Sequence, residues 1–114
     1  MRYGIVGSRE FTDYSIVQKV LDKHNIYIVE IVSGGARGAD SLAARYAEEN
    51  AIVLVEFLPD YNKYGKKAPF VRNKLIVDNS DIIIAFWNGI SRGTKHSIDY
   101  ATSKKKKVII VPVD

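Results

Sequence analysis

Residues 28–40 read Ile28-Val-Glu-Ile-Val-Ser-Gly-Gly-Ala-Arg-Gly-Ala-Asp40, an apolar run that passes directly into a glycine-rich turn. This order of residues predicts a β-strand, a tight turn and the start of an α-helix. The first turn of a helix has backbone N–H groups without partners, at the positive end of the helix dipole. Glycines at positions 34, 35 and 38 allow close approach, and Arg37 adds a guanidinium group. The stretch therefore predicts an anion site, in the first place for a phosphate.

Short apolar runs alternate with helix-like segments along the whole chain. The runs are Arg2–Gly7, Ile28–Ser33, Ile52–Phe57, Asp81–Trp87 and Val108–Val113. Such alternation predicts a parallel sheet with right-handed crossovers, and the unbroken apolar run Ile82–Trp87 is typical of a strand covered on both faces. We therefore expect a Rossmann-like α/β/α fold with a five-stranded parallel sheet in the order 3-2-1-4-5, as one domain over residues 1–114.

Polar residues and a proline mark where the helices begin. Thr12 or Asp13 is the expected cap of the first helix, Asp40 of the second and Thr94 of the last, and Pro69 lies near the start of the third.

Composition limits the classes of protein. The chain has 46% hydrophobic and 26% charged residues, which is ordinary for a globular domain. No apolar stretch reaches the roughly 18 to 20 residues that span a bilayer, and the N-terminus has no signal-peptide pattern. The absence of cysteine excludes disulfides, thiolate metal sites and a cysteine nucleophile. We expect a cytoplasmic protein with no membrane partner. The sequence leaves open whether the protein forms a homo-oligomer.

The net charge of +4 fits an anionic ligand or nucleic acid, although much of it comes from the run Lys104–Lys107. That run is either a solvated helix end or a nucleic-acid patch, and we favour the former because cations complement a helix C-terminus.

Three loops are expected to meet where the strand order reverses between strands 1 and 4, which is where ligands bind in sheets of this kind. They are Gly7–Arg9, Gly34–Asp40 and Asn88–Thr94, and all three are rich in glycine, hydroxyl groups and arginine. Neither glycine-rich loop has the spacing of the dinucleotide fingerprint or of a P-loop.

Several side chains near these loops allow more than one role. Arg9, Arg37, Arg72 and Arg92 are either solubilising charges or bidentate phosphate ligands. Asp40 either caps its helix or accepts a hydrogen bond from a ribose hydroxyl or a metal-bound water.

The histidines and tyrosines carry weaker signals. His24 is expected at the surface, and His96 faces either the ligand or solvent; neither belongs to a catalytic triad or metal pattern. Tyr61 and Tyr64 either pack at the rim or stack on a base. The sequence indicates no cofactor and no metal site, and it neither requires nor excludes Mg²⁺.

Together these motifs resemble the SLOG superfamily, specifically its small YspA-like members, over nearly the whole chain. The resemblance rests on Gly7-Ser8-Arg9, Ser33–Asp40, Tyr64-Gly65-Lys66, Arg72-Asn73, Ala85–Trp87 and Ser91-x-Gly93-Thr94-x-His96. It implies a Rossmann-like fold that binds nucleotides or nucleotide-derived molecules. With the loops it predicts these ligand-binding residues: Gly7, Ser8, Arg9, Gly34, Gly35, Ala36, Arg37, Gly38, Asp40, Arg72, Asn73, Ser91, Gly93 and Thr94.

The chain is also similar to the Lonely-Guy phosphoribohydrolases, which release a base from a nucleoside monophosphate. Arg72 matches their arginine and Gly93-Thr94 their Gly-Thr pair, but Ser97 stands where they have a glutamate. A serine cannot act as a carboxylate base or stabilise an oxocarbenium-like centre. An enzyme is therefore the second hypothesis, with Arg72 and Asp40 as candidate catalytic residues.

A third reading comes from the DNA-processing protein A family, which binds single-stranded DNA and has a loop similar to Ser33–Asp40. We rank a nucleotide binder first, a nucleotide N-glycosidase second and a module for single-stranded nucleic acid third.

Overall fold

The computed structural model describes all 114 residues, Met1–Asp114. The strands are β1 (Arg2–Gly7), β2 (Glu30–Ser33), β3 (Val53–Glu56), β4 (Ile82–Trp87) and β5 (Lys107–Pro112). The helices are α1 (Tyr14–Asp22), α2 (Ala39–Glu49), α3 (Tyr61–Tyr64), α4 (Ala68–Asp78) and α5 (Arg92–Ser103), with 3₁₀ turns at Asn25–Tyr27 and Gly65–Lys67.

The five strands form one parallel sheet in the order β3-β2-β1-β4-β5, which confirms the predicted topology. β1 pairs with β2 on one side and with β4 on the other, so the strand order reverses between β1 and β4. Because the strands are parallel, the loops after β1, β2 and β4 all leave the same edge of the sheet.

Two apolar layers hold helices against the sheet. On one face Ile5, Ile84 and Phe86 pack with Leu21 of α1 and Tyr46 of α2. Each fully buried aliphatic side chain of this kind contributes about 1.5–3 kcal/mol.

On the opposite face Val32, Ile83 and Ala85 pack with Ile76 of α4 and Ile98 of α5. Residues Ile82–Phe86 of β4 are buried throughout, as the unbroken apolar run predicts. The edge strands β3 and β5 stay partly exposed.

Two of the predicted helix starts are confirmed. The Asp13 side chain accepts a hydrogen bond from the Ser15 backbone N–H at the start of α1, and Pro69 lies in the first turn of α4.

The other two predicted helix starts are wrong by two or three residues. The N-caps are Gly38 for α2 and Ser91 for α5, not Asp40 and Thr94. Gly38 has a φ of +76°, a conformation that favours glycine over residues with a side chain. Asp40 instead lies inside the first turn of α2 and its carboxylate reaches back along the loop.

Strand boundaries differ from the expected ones by one or two residues at β2, β3, β4 and β5. The largest difference is at Ile28 and Val29, which lie between the 3₁₀ turn Asn25–Tyr27 and the start of β2, with Val29 exposed. The short helix α3 was not predicted, because the segment after β3 reads as a polar loop. No helix of the chain has both the length and the apolar character needed to cross a membrane.

Candidate functional site

A cleft of about 420 Å³ opens at the carboxyl edge of the sheet, where the loops after β1 and β4 meet the starts of α2 and α5 and one face of α4. We call it the main cleft, and its volume falls within the roughly 300–1,000 Å³ of small-molecule sites. Ten of the predicted binding residues line it: Gly7, Ser8, Arg9, Ala36, Asp40, Arg72, Asn73, Ser91, Gly93 and Thr94.

Ser8 connects the three loops and is 1% exposed. Its backbone N–H donates to the Phe86 carbonyl at 3.0 Å, and its carbonyl accepts from the Ala39 N–H at 3.2 Å. Its Oγ accepts from the Asn88 N–H at 3.3 Å. One buried residue after β1 therefore fixes both the start of α2 and the loop after β4.

Some backbone donors of the Gly34–Asp40 loop are already used within the chain. The Asp40 carboxylate accepts from the Ala36 N–H at 3.1 Å, while the Ala39 N–H is held by Ser8. A carboxylate of the chain thus occupies part of the position that the sequence predicts for a phosphate. The cationic hydrogen-bond donors in this region are the side chains of arginines.

Asp40 is 8% exposed and lines the main cleft. Burial raises the pKa of its carboxyl group from 3.8 to about 6. The Ala36 N–H, the Arg72 charge and the nearby Ser33 hydroxyl oppose this rise, and the charge of Glu56 adds to it. The Ser33 hydroxyl is fully buried without a hydrogen bond of good geometry. At neutral pH Asp40 is a buried anion close to its point of titration.

Arg72 projects from α4 into the site and is 7% exposed. Its Nε donates to Asn73 Oδ1 at 3.1 Å and its Nη1 donates to the Gly34 carbonyl at 2.6 Å. Its Nη2 has no partner in the protein, and neither Arg72 nor Arg9 takes part in any of the three ion pairs. Burial and the Arg9 charge lower the Arg72 pKa while Asp40 raises it, yet a guanidinium stays protonated.

Two glycines of the predicted set shape the site without lining it. A Cβ at Gly34 would lie 2.6 Å from Arg72 Nη1 and 2.9 Å from Asp40 Oδ2. A Cβ at Gly38 would lie 2.4 Å from the Ser8 carbonyl oxygen. Position 38 therefore needs glycine, because its neighbours are backbone atoms and its φ is +76°, whereas a side chain at position 34 would displace the Arg72 and Asp40 groups.

A second hollow of about 340 Å³ adjoins the main cleft and is lined by Arg9, Gly35, Ala36, Arg37, Pro59 and Arg72. We call it the arginine hollow. It contains the remaining two residues of the predicted set, Gly35 and Arg37. The exposed Arg37 side chain pairs with Glu10, with 2.7 Å between Nη2 and Oε1.

The opposite wall of the main cleft is made by the loop after β4 and the start of α5. Asn88 Oδ1 accepts from the Ser91 N–H at 2.8 Å, and Ser91 Oγ lies 3.0 Å from Thr94 Oγ1. Asn73 Nδ2 and Ser97 Oγ both donate to the Gly93 carbonyl at 3.3 Å. This wall presents amide and hydroxyl groups without charge.

Further residues of the main cleft were not among the predicted binding residues. They are Val6, Glu10, Pro69, Phe70, Ile76, Asn88, Ile90 and Ser97. Phe70, Asn73 and Ile76 repeat at an interval of three on α4, so the helical period could have identified this face once Asn73 was chosen. Asn88 directly follows β4, which is also a readable signal.

The histidines and tyrosines considered in the sequence analysis lie outside both the main cleft and the arginine hollow. His96 stacks edge-on against Phe70 at 4.9 Å between ring centroids, and burial lowers its pKa. His24 is partly buried and contacts the Tyr3 hydroxyl at 3.1 Å. Tyr61 and Tyr64 are exposed by 56% and 39% on α3.

Among the basic residues, Arg92 is exposed at the start of α5 and lines neither hollow. The lysine run begins at the end of α5, where Lys104 Nζ lies 5.4 Å from the Tyr100 ring and Lys106 Nζ donates to the Ser80 carbonyl. No group of three or more His, Asp or Glu side chains is arranged to hold a metal ion.

Chemically, the site combines one buried and one exposed arginine with two carboxylates and an uncharged wall of amides and hydroxyls. Such a site can bind an anion at its arginine end and hydrogen-bond a neutral polar group at the other. Ser97 lines the cleft where the Lonely-Guy pattern requires a carboxylate, so Asp40 and Glu10 are its only carboxylates.

Comparison with known proteins agrees with the fold and the motifs. Residues 4–64 match the model of the YspA, cpYpsA-related SLOG family. The chain is 38% identical over 101 residues to the Gene 61 protein of Mycobacterium phage D29, which covers 81% of each protein. The chain therefore belongs to the YspA-related SLOG family.

Two solved structures share the fold at low sequence identity. DNA processing protein A from Streptococcus pneumoniae matches 99% of the chain with a TM-score of 0.82 at 20% identity. The protein of the same name from Helicobacter pylori, whose single-stranded DNA binding mode has been described, matches all of the chain with a TM-score of 0.74 at 23% identity. The chain spans 50% and 66% of those proteins, respectively.

Proposed function

We propose that the chain is a cytoplasmic protein that binds a nucleotide or a nucleotide-derived ligand in the main cleft, with a phosphate of the ligand at Arg72 and Arg9. The observation that carries the proposal is the buried Arg72 guanidinium, which is fixed by Asn73 and Gly34 and keeps Nη2 without a protein partner. Nη2 is not among the fully buried atoms that lack a partner, so it is accessible to solvent and can donate a charge-assisted hydrogen bond to an anion in the cleft. Membership of the SLOG family supports the same ligand class.

The rest of the main cleft suits the uncharged part of a nucleotide. Phe70 and Ile90 are exposed by 44% and 82% and offer apolar surface for a base. Asn88, Thr94 and Ser97 offer hydrogen-bonding groups for a sugar or a base edge. A nucleoside monophosphate therefore meets complementary groups at both of its ends.

The test is calorimetric titration with the common nucleoside monophosphates. Arg72→Ala is expected to weaken binding by about 1.5–3 kcal/mol, the contribution of a charge-assisted hydrogen bond, which corresponds to about 10- to 150-fold. Arg72→Lys keeps the charge but loses the planar fork, so it should recover only part of the affinity. Arg45→Ala is the matched control, because Arg45 is an exposed arginine that pairs with Glu49 and lines neither hollow.

Urea unfolding of each variant separates a loss of binding from a loss of fold, because Arg72 also holds the Gly34 carbonyl. A folded Arg72→Ala variant with unchanged affinity would overturn the assignment of the phosphate to this arginine.

Single-stranded DNA is the second candidate ligand, and the structural match to the Helicobacter pylori protein favours it. The discriminating measurement is the salt dependence of binding. A single strand held by several phosphate contacts loses affinity steeply, with a slope of about −0.7 per contact in log K against log salt. A free nucleotide with one or two phosphates gives a correspondingly shallow slope.

A further inference from the structure

The main cleft and the arginine hollow meet at a shared wall made by Arg9, Ala36 and Arg72. A phosphate bound by Arg72 and Arg9, as proposed above, would therefore face both recesses. What lies beyond that phosphate depends on the chemistry of the arginine hollow.

The charges of the two recesses differ. In the main cleft Arg9 and Arg72 are accompanied by the carboxylates of Glu10 and Asp40. In the arginine hollow three of the six lining residues are arginines, and none is acidic. Glu56 is the carboxylate beside this hollow; its Oε2 would lie 3.4 Å from a Cβ on Gly35. The lining of the arginine hollow therefore carries more positive charge than the lining of the main cleft.

We infer that the ligand carries a second phosphate group, and that this group occupies the arginine hollow against Arg37. The inference rests on the proposed function and deepens it, because it assigns the nucleoside to the main cleft, the first phosphate to the shared wall and the second to the hollow. The shared chemistry is a nucleoside 5′-phosphate extended by a further phosphate, either as a diphosphate or through a phosphodiester to another nucleotide.

Arg37 can change its partner at little cost. Its side chain and that of Glu10 are 73% and 77% exposed, and exposed ion pairs contribute little to stability. Glu10 lines the main cleft and Arg37 lines the hollow, so the pair spans the boundary between them. Glu10 thus holds Arg37 with a carboxylate until a phosphate replaces it.

The experiment compares each nucleoside monophosphate with its diphosphate by calorimetry, in the presence of a chelator so that no metal bridges the phosphates. The readout is the ratio of the two affinities for the same base. The diphosphate is expected to bind about tenfold more tightly, or better, because a charge-assisted hydrogen bond to Arg37 is added. Arg37→Ala should reduce that ratio to near one, and Glu10→Gln should increase it by releasing Arg37.

Arg45→Ala is again the matched control and should keep the wild-type ratio. A preference for diphosphate that persists in Arg37→Ala would overturn the assignment of the second phosphate to Arg37. Binding of neither compound would count against the proposed function itself, which keeps the two failures distinct.

A 5′-phosphorylated dinucleotide, which carries two phosphates and two nucleosides, distinguishes the sources of the second phosphate. Tighter binding of this dinucleotide than of the diphosphate assigns the hollow to a nucleic-acid strand, and the reverse assigns it to a free diphosphate. If neither compound binds more tightly than the monophosphate, no second phosphate is recognised and the inference is wrong.

Discussion

Replacing Asp40 by asparagine should stabilise the fold at neutral pH and remove a pH dependence that the wild type has. Asparagine has nearly the same shape, and its carbonyl oxygen can still accept the hydrogen bond from the Ala36 N–H. The variant therefore removes the charge of a buried carboxylate while it keeps the contact that holds the loop.

The magnitude follows from the burial of Asp40. Burial raises its pKa from 3.8 to about 6, which corresponds to about 3 kcal/mol at 1.36 kcal/mol per pKa unit. Well below pH 3.8 the group is protonated in both the folded and the unfolded chain and carries no penalty. Between about pH 4 and pH 6 the unfolded chain ionises first, so the wild type loses stability as the pH rises. Above about pH 6 the full penalty of about 3 kcal/mol is present.

The assay is urea unfolding of both proteins at several values between pH 4 and pH 7.5, with the difference in unfolding free energy as the readout. The difference should change in favour of Asp40→Asn by about 2–3 kcal/mol across this range, because the unfolded carboxyl group is already partly ionised at pH 4. Other titrating groups cancel because they are common to both proteins. A difference that stays constant from pH 4 to pH 7.5 would refute the reasoning.

Asp13→Asn provides a control of opposite sign. Hydrogen bonding to Ser15 lowers the pKa of the exposed Asp13 carboxyl group. Its ionised form therefore stabilises the fold at neutral pH, and that contribution is lost as the pH falls. The difference between this variant and the wild type should accordingly move against the variant as the pH rises.

Three further predictions concern the loop, the ligand and the chemistry. Gly38→Ala should lower the free energy of unfolding in urea by about 1–3 kcal/mol, because residue 38 has a φ of +76° and a Cβ there would meet the Ser8 carbonyl. The control is Gly93→Ala, where a Cβ meets no atom within 4 Å. It should change the free energy of unfolding by no more than about 0.5 kcal/mol. Binding of a phosphodiester, whose own charge is constant, should tighten as the pH falls through about 6 and protonates Asp40, and this pH dependence should be absent from Asp40→Asn. Chromatography should detect little or no free base from AMP, GMP, CMP or UMP, because Ser97 supplies no carboxylate; turnover abolished by Asp40→Asn would make the chain an enzyme.

The topology could be predicted because each strand and helix is marked by a local sequence pattern. Each strand is a short apolar run, the central run Ile82–Trp87 has no polar alternation, and helical segments separate the runs. The exact ends of the strands were harder to predict. Ile28 and Val29 are apolar and β-branched like the strand that follows, yet they only connect the 3₁₀ turn Asn25–Tyr27 to β2, which begins at Glu30.

The loops of the site could also be predicted, but the distribution of their hydrogen bonds could not. Nothing in the local sequence indicates that the Asp40 carboxylate turns back to the Ala36 N–H, or that the Ser8 carbonyl takes the Ala39 N–H. Both contacts depend on the approach of β1 to the start of α2. Glu10 was missed for a related reason, since it enters the cleft through tertiary packing and not through a motif.

These internal contacts change the physical account of the anion site. A glycine-rich turn before a helix is usually read as a cradle of free backbone amides. Here the chain's own carboxylate occupies part of that cradle, and its burial there raises its pKa. A buried ionised group close to an arginine, without a direct ion pair between them, is an expensive arrangement for stability alone. The same arrangement favours ligand binding. Arg72 Nη2 stays available to a phosphate, while Asp40 neutralises part of the Arg72 charge in the unliganded protein. If so, Asp40→Asn should gain stability and nucleotide affinity together, whereas a merely structural carboxylate would change stability and leave the affinity as it was.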